Sequence, residues 1–387
     1  MFAKRSLWWL ILVLVSGLLL ASCAPATPAP AATAEEPATQ APAATAGEPA
    51  APTSAAEEEF LAAFGHVGPA SDAGWTWSHD QGRLAVEREL GVRTEMVESM
   101  PYSEETTRIL EQFVADGAGI IFITSSYADF AYTVADAHPE VAFLECGGSR
   151  VTANMVPYYV QHWDPSYLIG MAAGLMTETN QLGYIGSFPV ESVYTSVNSF
   201  QLGARSVNPD VTTSVILINS WFDPAAANQA ASTLIDAGAD FLFGIMDEAA
   251  YLQVAEDRGV WAAMWNTDMR TFGPHAYVSS VMLDWNDFYV SEVEAAMDGT
   301  WEGNRGPVML PIGQGTDRDV WGQDVPQEVR DQVDAVRDRM MNEGLDVFVG
   351  PIYDTEGNVV IPEGEQLSDN YLYFEWTWPV EGVTGLP

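Results

Sequence analysis

Two stretches of this 387-residue chain share one pattern: Phe113-Val-Ala-Asp-Gly-Ala-Gly-Ile-Ile-Phe-Ile-Thr124 and Thr233-Leu-Ile-Asp-Ala-Gly-Ala-Asp-Phe-Leu-Phe-Gly244. Each has the features of a helix end, a glycine turn and a short apolar strand. A strand that is apolar along its whole length is typical of a parallel sheet that is buried on both faces. The repeated pattern therefore predicts an α/β fold.

The repetition extends beyond these two stretches. The helix and strand at 128–146 correspond to those at 249–266, and the strand and helix near 65–89 correspond to those near 183–207. The offset stays near 118 to 120 residues, as between Phe113 and Thr233. This length is typical of a domain and is longer than a solenoid repeat. We therefore expect two similar lobes, one after the other.

The two predicted lobes enclose a cleft. The first is expected at 59–165, completed by about 280–387, and the second at 166–279. In parallel sheets, ligands bind beyond the carboxyl ends of the strands, where loops and helix N-termini converge. Two such edges that face each other form a hinged clamp around a small molecule.

Short apolar runs alternate with amphipathic stretches from about residue 59, as in βαβ units. The predicted strands are 60–67, 92–97, 119–124, 141–146, 182–187, 213–219, 241–246 and 260–266. Cys146 ends the fourth of these runs, so we predict a buried structural thiol rather than a nucleophile or a metal ligand.

The N-terminal region carries a secretion and lipidation signal. Two basic residues precede an apolar run at 7–20, which is shorter than the roughly 20 residues of a membrane-spanning helix. The run leads into Leu20-Ala-Ser-Cys23, which has the form of a lipobox. We predict a signal peptide at 1–22 and a lipid anchor on Cys23. Residues 23–58, rich in Ala, Pro and Thr, are predicted to form a disordered tether.

The chain is strongly acidic, with 54 Asp and Glu against 15 Lys and Arg and a formal charge of −39 at pH 7. Lys4 is its only lysine. Such a surface repels nucleic acids and anionic membranes. A cleft without ammonium groups also disfavours anionic ligands such as nucleotides. Because the shortage of lysine also fits a bias of habitat or lineage, the charge indicates only a neutral or cationic ligand.

Carboxylates, hydroxyls and aromatic rings recur where the predicted strands end. This mixture suits a flat ring that stacks between indoles while its N–H edges face carboxylates, which only accept hydrogen bonds when ionised. The candidate ligand-binding residues are Asp72, Trp75, Trp77, Ser126, Tyr127, Glu191, Trp221, Asp247, Asp268 and Trp285.

Some acidic residues at strand ends have a structural alternative. Asp223 precedes Pro224 and fits a helix N-cap better than a ligand contact. Asp247 and Asp268 could each cap a following helix while still facing the cleft. Trp77 could pack beneath its own loop.

The sequence contains no Walker loop, no Gly-x-Ser-x-Gly elbow and no Cys/His pair at a suggestive spacing, so we expect neither an enzyme nor a cofactor. A glycosidase, which uses paired carboxylates in a cleft, remains an alternative, as do a sugar-binding importer component and a ligand-sensing receptor. We predict no metal site, because the histidines are scattered: His66, His79, His138, His162 and His275.

Several motifs together resemble the basic-membrane-protein or purine-nucleoside-receptor-like lipoproteins, the substrate-binding components of certain ABC importers. The matching stretches are Val67-Gly-Pro-Ala-Ser-Asp-Ala-Gly-Trp-Thr-Trp-Ser-His-Asp-Gln-Gly-Arg83, Tyr184-Ile-Gly-Ser-Phe-Pro-Val-Glu191, Asn198-Ser-Phe-Gln-Leu-Gly-Ala-Arg-Ser-Val-Asn-Pro209, Gly350-Pro-Ile and Glu381-Gly-Val-Thr-Gly385.

The resemblance implies a type I periplasmic-binding-protein fold, a monomer that hands its ligand to an ABC permease, and a purine base or nucleoside as that ligand. By the same resemblance, Asp72 contacts the base, Trp75 and Trp221 sandwich it, and Asp247 or Asp268 holds ribose hydroxyls. One departure is the segment Ser280-Val-Met-Leu-Asp284, where nucleoside-binding members often carry a lysine. The absence of that lysine favours a free base over a nucleoside.

Overall fold

Residues 59–387 are described by a computed structural model, and all structural statements below concern this part of the chain. The predicted signal peptide, the lipid anchor on Cys23 and the tether lie outside the described residues. Among the helices of the described part, none has the length and apolar character that crossing a membrane requires.

The first half of the described chain alternates strands with helices, as the sequence predicts. Its elements are β1 (Leu61–Gly65), α1 (Trp75–Leu90), β2 (Arg93–Val97), α2 (Glu104–Ala115), β3 (Ala118–Ile123), α3 (Asp129–Ala137), β4 (Ala142–Cys146) and β5 (Met155–Val160).

The same alternation then repeats. The elements are α4 (Trp163–Met176), β6 (Gln181–Gly186), α5 (Glu191–Val207), β7 (Thr212–Leu217), α6 (Pro224–Asp236), β8 (Phe241–Gly244), α7 (Ala250–Arg258), β9 (Trp261–Asn266) and, after a 3₁₀ turn at Arg270–Phe272, β10 (Tyr277–Leu283).

The C-terminal part contains α8 (Asn286–Met297), β11 (Val308–Leu310), β12 (Thr316–Arg318), α9 (Gln327–Glu343), β13 (Ile352–Tyr353), β14 (Val359–Ile361), α10 (Asp369–Phe374) and β15 (Val383–Thr384). β13 and β14 pair as a small antiparallel hairpin.

Two large sheets organise the described chain. The first has the order β11-β5-β4-β3-β1-β2, and all its pairings are parallel. The second has the order β12-β10-β9-β8-β6-β7-β15, and it is parallel except where β12 runs against β10. The predicted α/β class is confirmed, and so is the correspondence between the two halves.

The C-terminal part serves both sheets, which corrects the expected assignment of residues 280–387 to the first lobe. β11 extends the first sheet, whereas β12 and β15 extend the second, and β10 lies in the second sheet as far as Leu283. The chain therefore passes between the sheets after β5, after β10 and after β11. Three connecting segments, rather than one linker, therefore join the two lobes.

All eight predicted strands are present, with ends that differ by at most two residues. The predicted burial of Cys146 is also confirmed, since its thiol is free and 1 % exposed at the end of β4. Asp223 caps α6 as expected: its Oδ1 accepts a hydrogen bond from the backbone N–H of Ala226 at 3.0 Å.

Helices α4 and α5 pack very closely through two glycines. A Cβ atom added at Gly203 would lie 2.0 Å from the carbonyl oxygen of Tyr167, and one added at Gly170 would lie 2.0 Å from that of Phe200. Only a residue without a side chain allows this approach of the two backbones. The two helices therefore pack with their backbones in direct contact.

Candidate functional site

Unusual backbone conformations cluster where the parallel strands end. Positive φ angles occur at Ala73, Ser99 and Ala128, which follow β1, β2 and β3, and at Asn219 and Asn266, which lie at the ends of β7 and β9. Five of the seven non-glycine residues of this kind in the described chain therefore lie at the carboxyl edges of the two sheets. Such strain is concentrated at binding sites and switches, where the surrounding structure maintains it.

Asp72 lies in the loop between β1 and α1, and its carboxylate organises the start of the helix. Oδ1 accepts hydrogen bonds from the backbone N–H groups of Gly74 at 2.8 Å and Trp77 at 2.9 Å, and Oδ2 accepts one from Thr76 at 2.9 Å. These are donors that a helix leaves without partners in its first turn. Asp72, expected to contact the ligand, therefore positions α1.

Trp75 stands at the first residue of α1 and is partly buried at the first lobe's edge. Its indole N–H donates to the carbonyl of Thr124 at 2.8 Å, which fixes the ring relative to the end of β3. The Trp285 ring packs edge-on behind it at 5.9 Å, and the Tyr159 ring lies 5.9 Å away. Hydrogen bonding and packing thus hold Trp75 in one orientation.

Trp285 was predicted to bind the ligand, but the structure places it in the core. The side chain is 0 % exposed, its indole N–H donates to Ser78 Oγ at 3.1 Å, and its ring stacks on His79 at 4.3 Å. Its role is to support Trp75 from behind.

The second lobe contributes an aromatic wall of its own. Trp221, which follows β7, is 39 % exposed and packs against Phe188 with ring centroids 5.8 Å apart. The carbonyl of Trp221 accepts a hydrogen bond from the backbone N–H of Asp247 at 3.0 Å. This contact links the end of β7 to the end of β8.

Asp247 lies where the two lobes meet. Its Oδ1 accepts a hydrogen bond from Asn266 Nδ2 at 2.5 Å, and the backbone N–H of Trp75 from the other lobe lies near its carboxylate. A Cβ atom added at Gly74 would lie 3.1 Å from the Asp247 Cα. Burial is the main cause that raises the pKa of Asp247, and the negative charge of Asp72 is the second. Together they raise this pKa to about 7.

A second contact joins the lobes beside Asp247. The hydroxyl of Thr267, which follows β9, donates to the carbonyl of Ala73 at 2.7 Å. The loop after β1 therefore contacts the ends of β8 and β9. The cleft is closed at this point.

Glu145 is a candidate that the sequence reasoning missed. It is 1 % exposed near the end of β4, and its Oε1 accepts hydrogen bonds from the backbone N–H groups of Tyr127 at 2.7 Å and Ala128 at 3.1 Å. Its Oε2 is buried and has no hydrogen-bond partner. Burial raises the pKa of Glu145 to about 7. An acidic residue in the apolar run Val141-Ala-Phe-Leu-Glu-Cys146 was the signal that could have revealed it.

Tyr159 and Tyr373 continue the aromatic surface from Trp75. Tyr373 lies on α10, and its ring centroid is 4.5 Å from that of Tyr159. Burial is the largest cause that raises the pKa of Tyr373. Nearby groups, Glu145 and Glu191 among them, raise it further. Tyr373 could not be predicted from the sequence, because α10 comes more than 200 residues after β5 in the chain.

Other predicted site residues lie apart from this cluster. Tyr127 is 2 % exposed and donates its hydroxyl hydrogen to the carbonyl of Met100 at 2.8 Å, so it packs inside the first lobe. Asp268 is exposed and forms an ion pair with Arg270 at 2.5 Å. Ser126 and Glu191 are exposed, and Trp77 is 38 % exposed at the first turn of α1.

Within residues 59–387, no group of three or more His, Cys, Asp or Glu side chains is arranged to hold a metal ion. The described site instead combines aromatic rings with carboxylates. Rings bind flat apolar faces, and carboxylates accept hydrogen bonds from N–H or O–H groups.

Comparison with known proteins identifies the family. The family described as Bmp, ABC transporter substrate-binding protein PnrA-like, matches residues 61–309. A purine-binding protein of Brucella abortus is 34% identical over 320 residues, which cover 82% of this chain and 91% of that protein. A protein of Haloferax volcanii, provisionally named as a glucose-binding protein of an ABC transporter, is 37% identical over 337 residues, covering 85% of this chain and 81% of that protein.

Solved structures share the fold at low sequence identity. A solute-binding protein of an ABC transporter from Conexibacter woesei has a TM-score of 0.63 and 19% identity, and the match covers 74% of this chain and 97% of that one. A transcriptional activator from Bacillus halodurans has a TM-score of 0.65 and 22% identity, with coverages of 74% and 99%. These likenesses establish the type I periplasmic-binding fold that the sequence resemblance implied.

The family match covers more than half of the chain, and relatives more than 30% identical extend over most of it. Members of this family are extracytoplasmic binding proteins that deliver a small molecule to a permease, and they are not enzymes. This chain belongs to the Bmp family of PnrA-like ABC transporter substrate-binding proteins.

Proposed function

We propose that this substrate-binding protein takes up a purine base or nucleoside between its lobes and delivers it to the permease. The observation that carries the proposal is the pair of tryptophans, Trp75 on the first lobe and Trp221 on the second, with the carboxylate of Asp247 beside both. The purine-binding protein of Brucella abortus, 34% identical, supports the same ligand class.

The chemistry of the cluster favours a ring with several N–H donors. Tryptophan faces stack on a purine, and stacking contributes about 1–3 kcal/mol per base. Ionised carboxylates accept hydrogen bonds and cannot donate them, so they favour amino and ring N–H groups. The described residues include no lysine, which disfavours anionic ligands such as nucleotides.

In this proposal, Asp72 acts indirectly. Its three hydrogen bonds to backbone N–H groups hold the first turn of α1, and this turn carries Trp75 and Trp77. Loss of Asp72 would therefore displace a ring rather than remove a hydrogen bond to the base.

Ligand binding is coupled to closure. A ligand that touches both lobes gains all its contacts only in the closed form, so it increases the population of that form. The contacts of Thr267 with Ala73 and of Asp247 with the start of α1 belong to the same closed form. The permease then recognises the closed surface.

Titration calorimetry with adenine, guanine, hypoxanthine and their nucleosides tests the ligand class. We expect Trp221→Ala to weaken binding about 10-fold or more, since it removes one stacking face. Phe222→Ala is the matched control, because Phe222 is the next residue and is 56 % exposed. If none of the purines binds below millimolar concentration, the proposal is wrong.

Glucose forms the second arm of the same titration, because the 37% identical protein of Haloferax volcanii is provisionally named as glucose-binding. Arginine forks commonly bind sugar hydroxyls, and Arg270 lies in the 3₁₀ turn that follows β9. In the structure, Arg270 is exposed and its guanidinium is bonded to Asp268 at 2.8 and 2.9 Å. This arrangement favours the purine over the sugar.

We also propose that a signal peptide ends at residue 22 and that Cys23 carries a lipid anchor, as the lipobox indicates. Metabolic labelling with a radioactive fatty acid should mark the wild-type protein and leave Cys23→Ser unlabelled. Equal labelling of both would exclude this anchor. We expect the released domain to be a monomer, which light scattering measures directly.

A further inference from the structure

We infer that closure of the cleft takes up a proton at Asp247, so that acid favours the closed form and a higher pH favours the open one. This inference goes beyond the proposed function, because it concerns the protein's own conformational equilibrium and requires no particular ligand.

The groups around the Asp247 carboxylate come from opposite lobes. Asp247 follows β8 and Asn266 ends β9, both in the second lobe, whereas Gly74 and Trp75 belong to the first. A Cβ atom added at Gly74 would lie 3.1 Å from the Cα and Cβ atoms of Asp247, and the backbone N–H of Trp75 lies near the carboxylate. When the lobes separate, water therefore replaces the neighbours from the first lobe.

Closure also brings Asp247 beside a second carboxylate. Asp72 lies in the same loop as Gly74, and its negative charge acts on Asp247 across the boundary between the lobes. The other titratable neighbours are Glu248, which is the next residue along the chain, and Tyr159 on β5 of the first lobe. Among residues 59–387, no cation belongs to the groups that act on Asp247.

A carboxylate in these surroundings is more stable when it carries a proton. Loss of water destabilises its charged form, and a second carboxylate repels that form. The hydrogen bond from Asn266 Nδ2 to Oδ1, at 2.5 Å, acts in the opposite direction but does not outweigh these effects. The pKa of Asp247 is raised to about 7 in the closed form, with burial as the largest cause. An aspartate in water has a pKa of about 3.9.

The difference in pKa sets the direction and the pH range of the effect. Between about pH 4 and 7, the closed form binds more protons than the open form. The equilibrium constant for closure therefore falls as the pH rises through this range, by up to about 10-fold for each pH unit. Well above pH 7 both forms have lost the proton, and the constant no longer changes.

Glu145 also has a raised pKa, but its contacts do not couple it to closure. Its Oε1 accepts hydrogen bonds from the backbone N–H groups of Tyr127 and Ala128, which belong to the same lobe. Closure leaves these contacts unchanged. The proton on Glu145 therefore affects the stability of its own lobe, whereas the proton on Asp247 affects the cleft.

Hydrogen exchange of the full-length, ligand-free protein tests the inference. The reporters are the amides of residues 73–75 and 266–268, which lie at the contact between the lobes. Their protection factors, corrected for the intrinsic pH dependence of exchange, measure how often this contact opens. We expect these factors to fall at least about 10-fold between pH 5 and 7 and to level off by pH 9. Equal protection at pH 5 and pH 9 would overturn the inference.

Three variants assign the proton. Asp247→Asn removes the titrating group at nearly constant shape, so protection at the reporters should no longer depend on pH. Asp298→Asn, at an exposed position after α8, is the matched control and should keep the wild-type dependence. Thr267→Val removes the hydrogen bond to Ala73 but leaves the carboxylates, so it should lower protection by a similar factor at every pH. A pH dependence that persists in Asp247→Asn would assign the proton to another group and contradict the inference.

Asp72→Asn gives a test that leaves Asp247 intact. Asparagine keeps the helix cap but removes the neighbouring charge, so the midpoint of the pH dependence should move to lower pH. An unchanged midpoint would show that the two carboxylates do not interact, against the inference. Because none of these measurements uses a ligand, their failure leaves the proposed function standing, and failure of purines to bind leaves this inference standing.

Discussion

Asp72 shows how one side chain can organise a loop through hydrogen bonds to the backbone. Its carboxylate is the acceptor for three N–H groups at the start of α1. The position of Asp72 in the loop before α1 could be predicted, because a short polar residue before a helix in a glycine-rich loop is a feature of the sequence alone. The direction of its side chain is set by the turn of the loop, which the sequence does not reveal.

Substitution of Asp72 separates capping from ligand contact. Asp72→Ala should lower the free energy of unfolding by about 1–2 kcal/mol, because it leaves helix N–H groups without an acceptor. Asp72→Asn should retain most of that stability, since asparagine caps helices about as well as aspartate. Urea unfolding without ligand measures both. Equal losses from the two variants would argue against a capping role.

Glu145 gives a pH-dependent prediction at the level of one residue. Its pKa is raised to about 7 by burial, so the folded state binds more protons than the unfolded state between about pH 4 and 7. The contribution of Glu145 to stability therefore falls as the pH rises through this range. Glu145→Gln should be more stable than wild type at pH 8, on the order of 1 kcal/mol, and the difference should vanish near pH 5. Glu363→Gln, at an exposed position, should show no such trend in thermal unfolding.

At the level of elements, the strands were predicted closely because apolar runs between glycine turns mark them. β5 was missed, although it is fully buried, because Pro157 interrupts its sequence. The structure tolerates this proline since β11 pairs only with Tyr158, Tyr159 and Val160. The proline therefore lies outside the stretch that β11 pairs with.

The candidate site was predicted in part for the same reason. Strand ends locate the loops that carry Trp75, Trp221 and Asp247. They do not distinguish a side chain that faces the cleft from one that packs inward, as Trp285 and Tyr127 do. Tyr373 comes from α10, whose docking on α5 depends on contacts between residues that are far apart in the sequence.

The close pairing of α4 and α5 leads to a prediction with an internal control. Gly203→Ala would place a methyl group 2.0 Å from the Tyr167 carbonyl, so the helices must separate. We expect a loss of at least 1–3 kcal/mol in the free energy of unfolding, roughly the cost of overpacking a core. Gly306→Ala, where no atom lies within 4 Å, should change stability little. A neutral Gly203→Ala variant would show that the helix contact is looser than described.

For the whole molecule, the formal charge of −39 dominates the response to solution conditions. Repulsion among exposed carboxylates destabilises the compact state, and salt screens it because the Debye length falls from about 10 Å at 0.1 M to about 3 Å at 1 M. We expect the melting temperature to rise steadily between 0.05 and 1 M NaCl. A melting temperature that falls with added NaCl would contradict this.

Saturation with ligand should stabilise the whole domain as well. A ligand at 100 times its dissociation constant adds about 2.7 kcal/mol to the free energy of unfolding if it binds only the folded state. Differential scanning fluorimetry with a purine series therefore ranks the ligands without any assumption about the site. If no purine raises the melting temperature, the ligand of this protein belongs to another chemical class.

The late position of β15 in the chain determines the order in which the two sheets can be completed during synthesis. The first sheet has five of its six strands once Val160 has been synthesised, and it waits only for β11. The second sheet begins with β6, yet its edge strand β15 comes at Val383–Thr384 and pairs with β7, whose Ser214 is 170 residues earlier in the chain than Thr384. Five strands of the first sheet can thus pair while the chain is still being made, and the second sheet stays incomplete until Thr384 has left the ribosome.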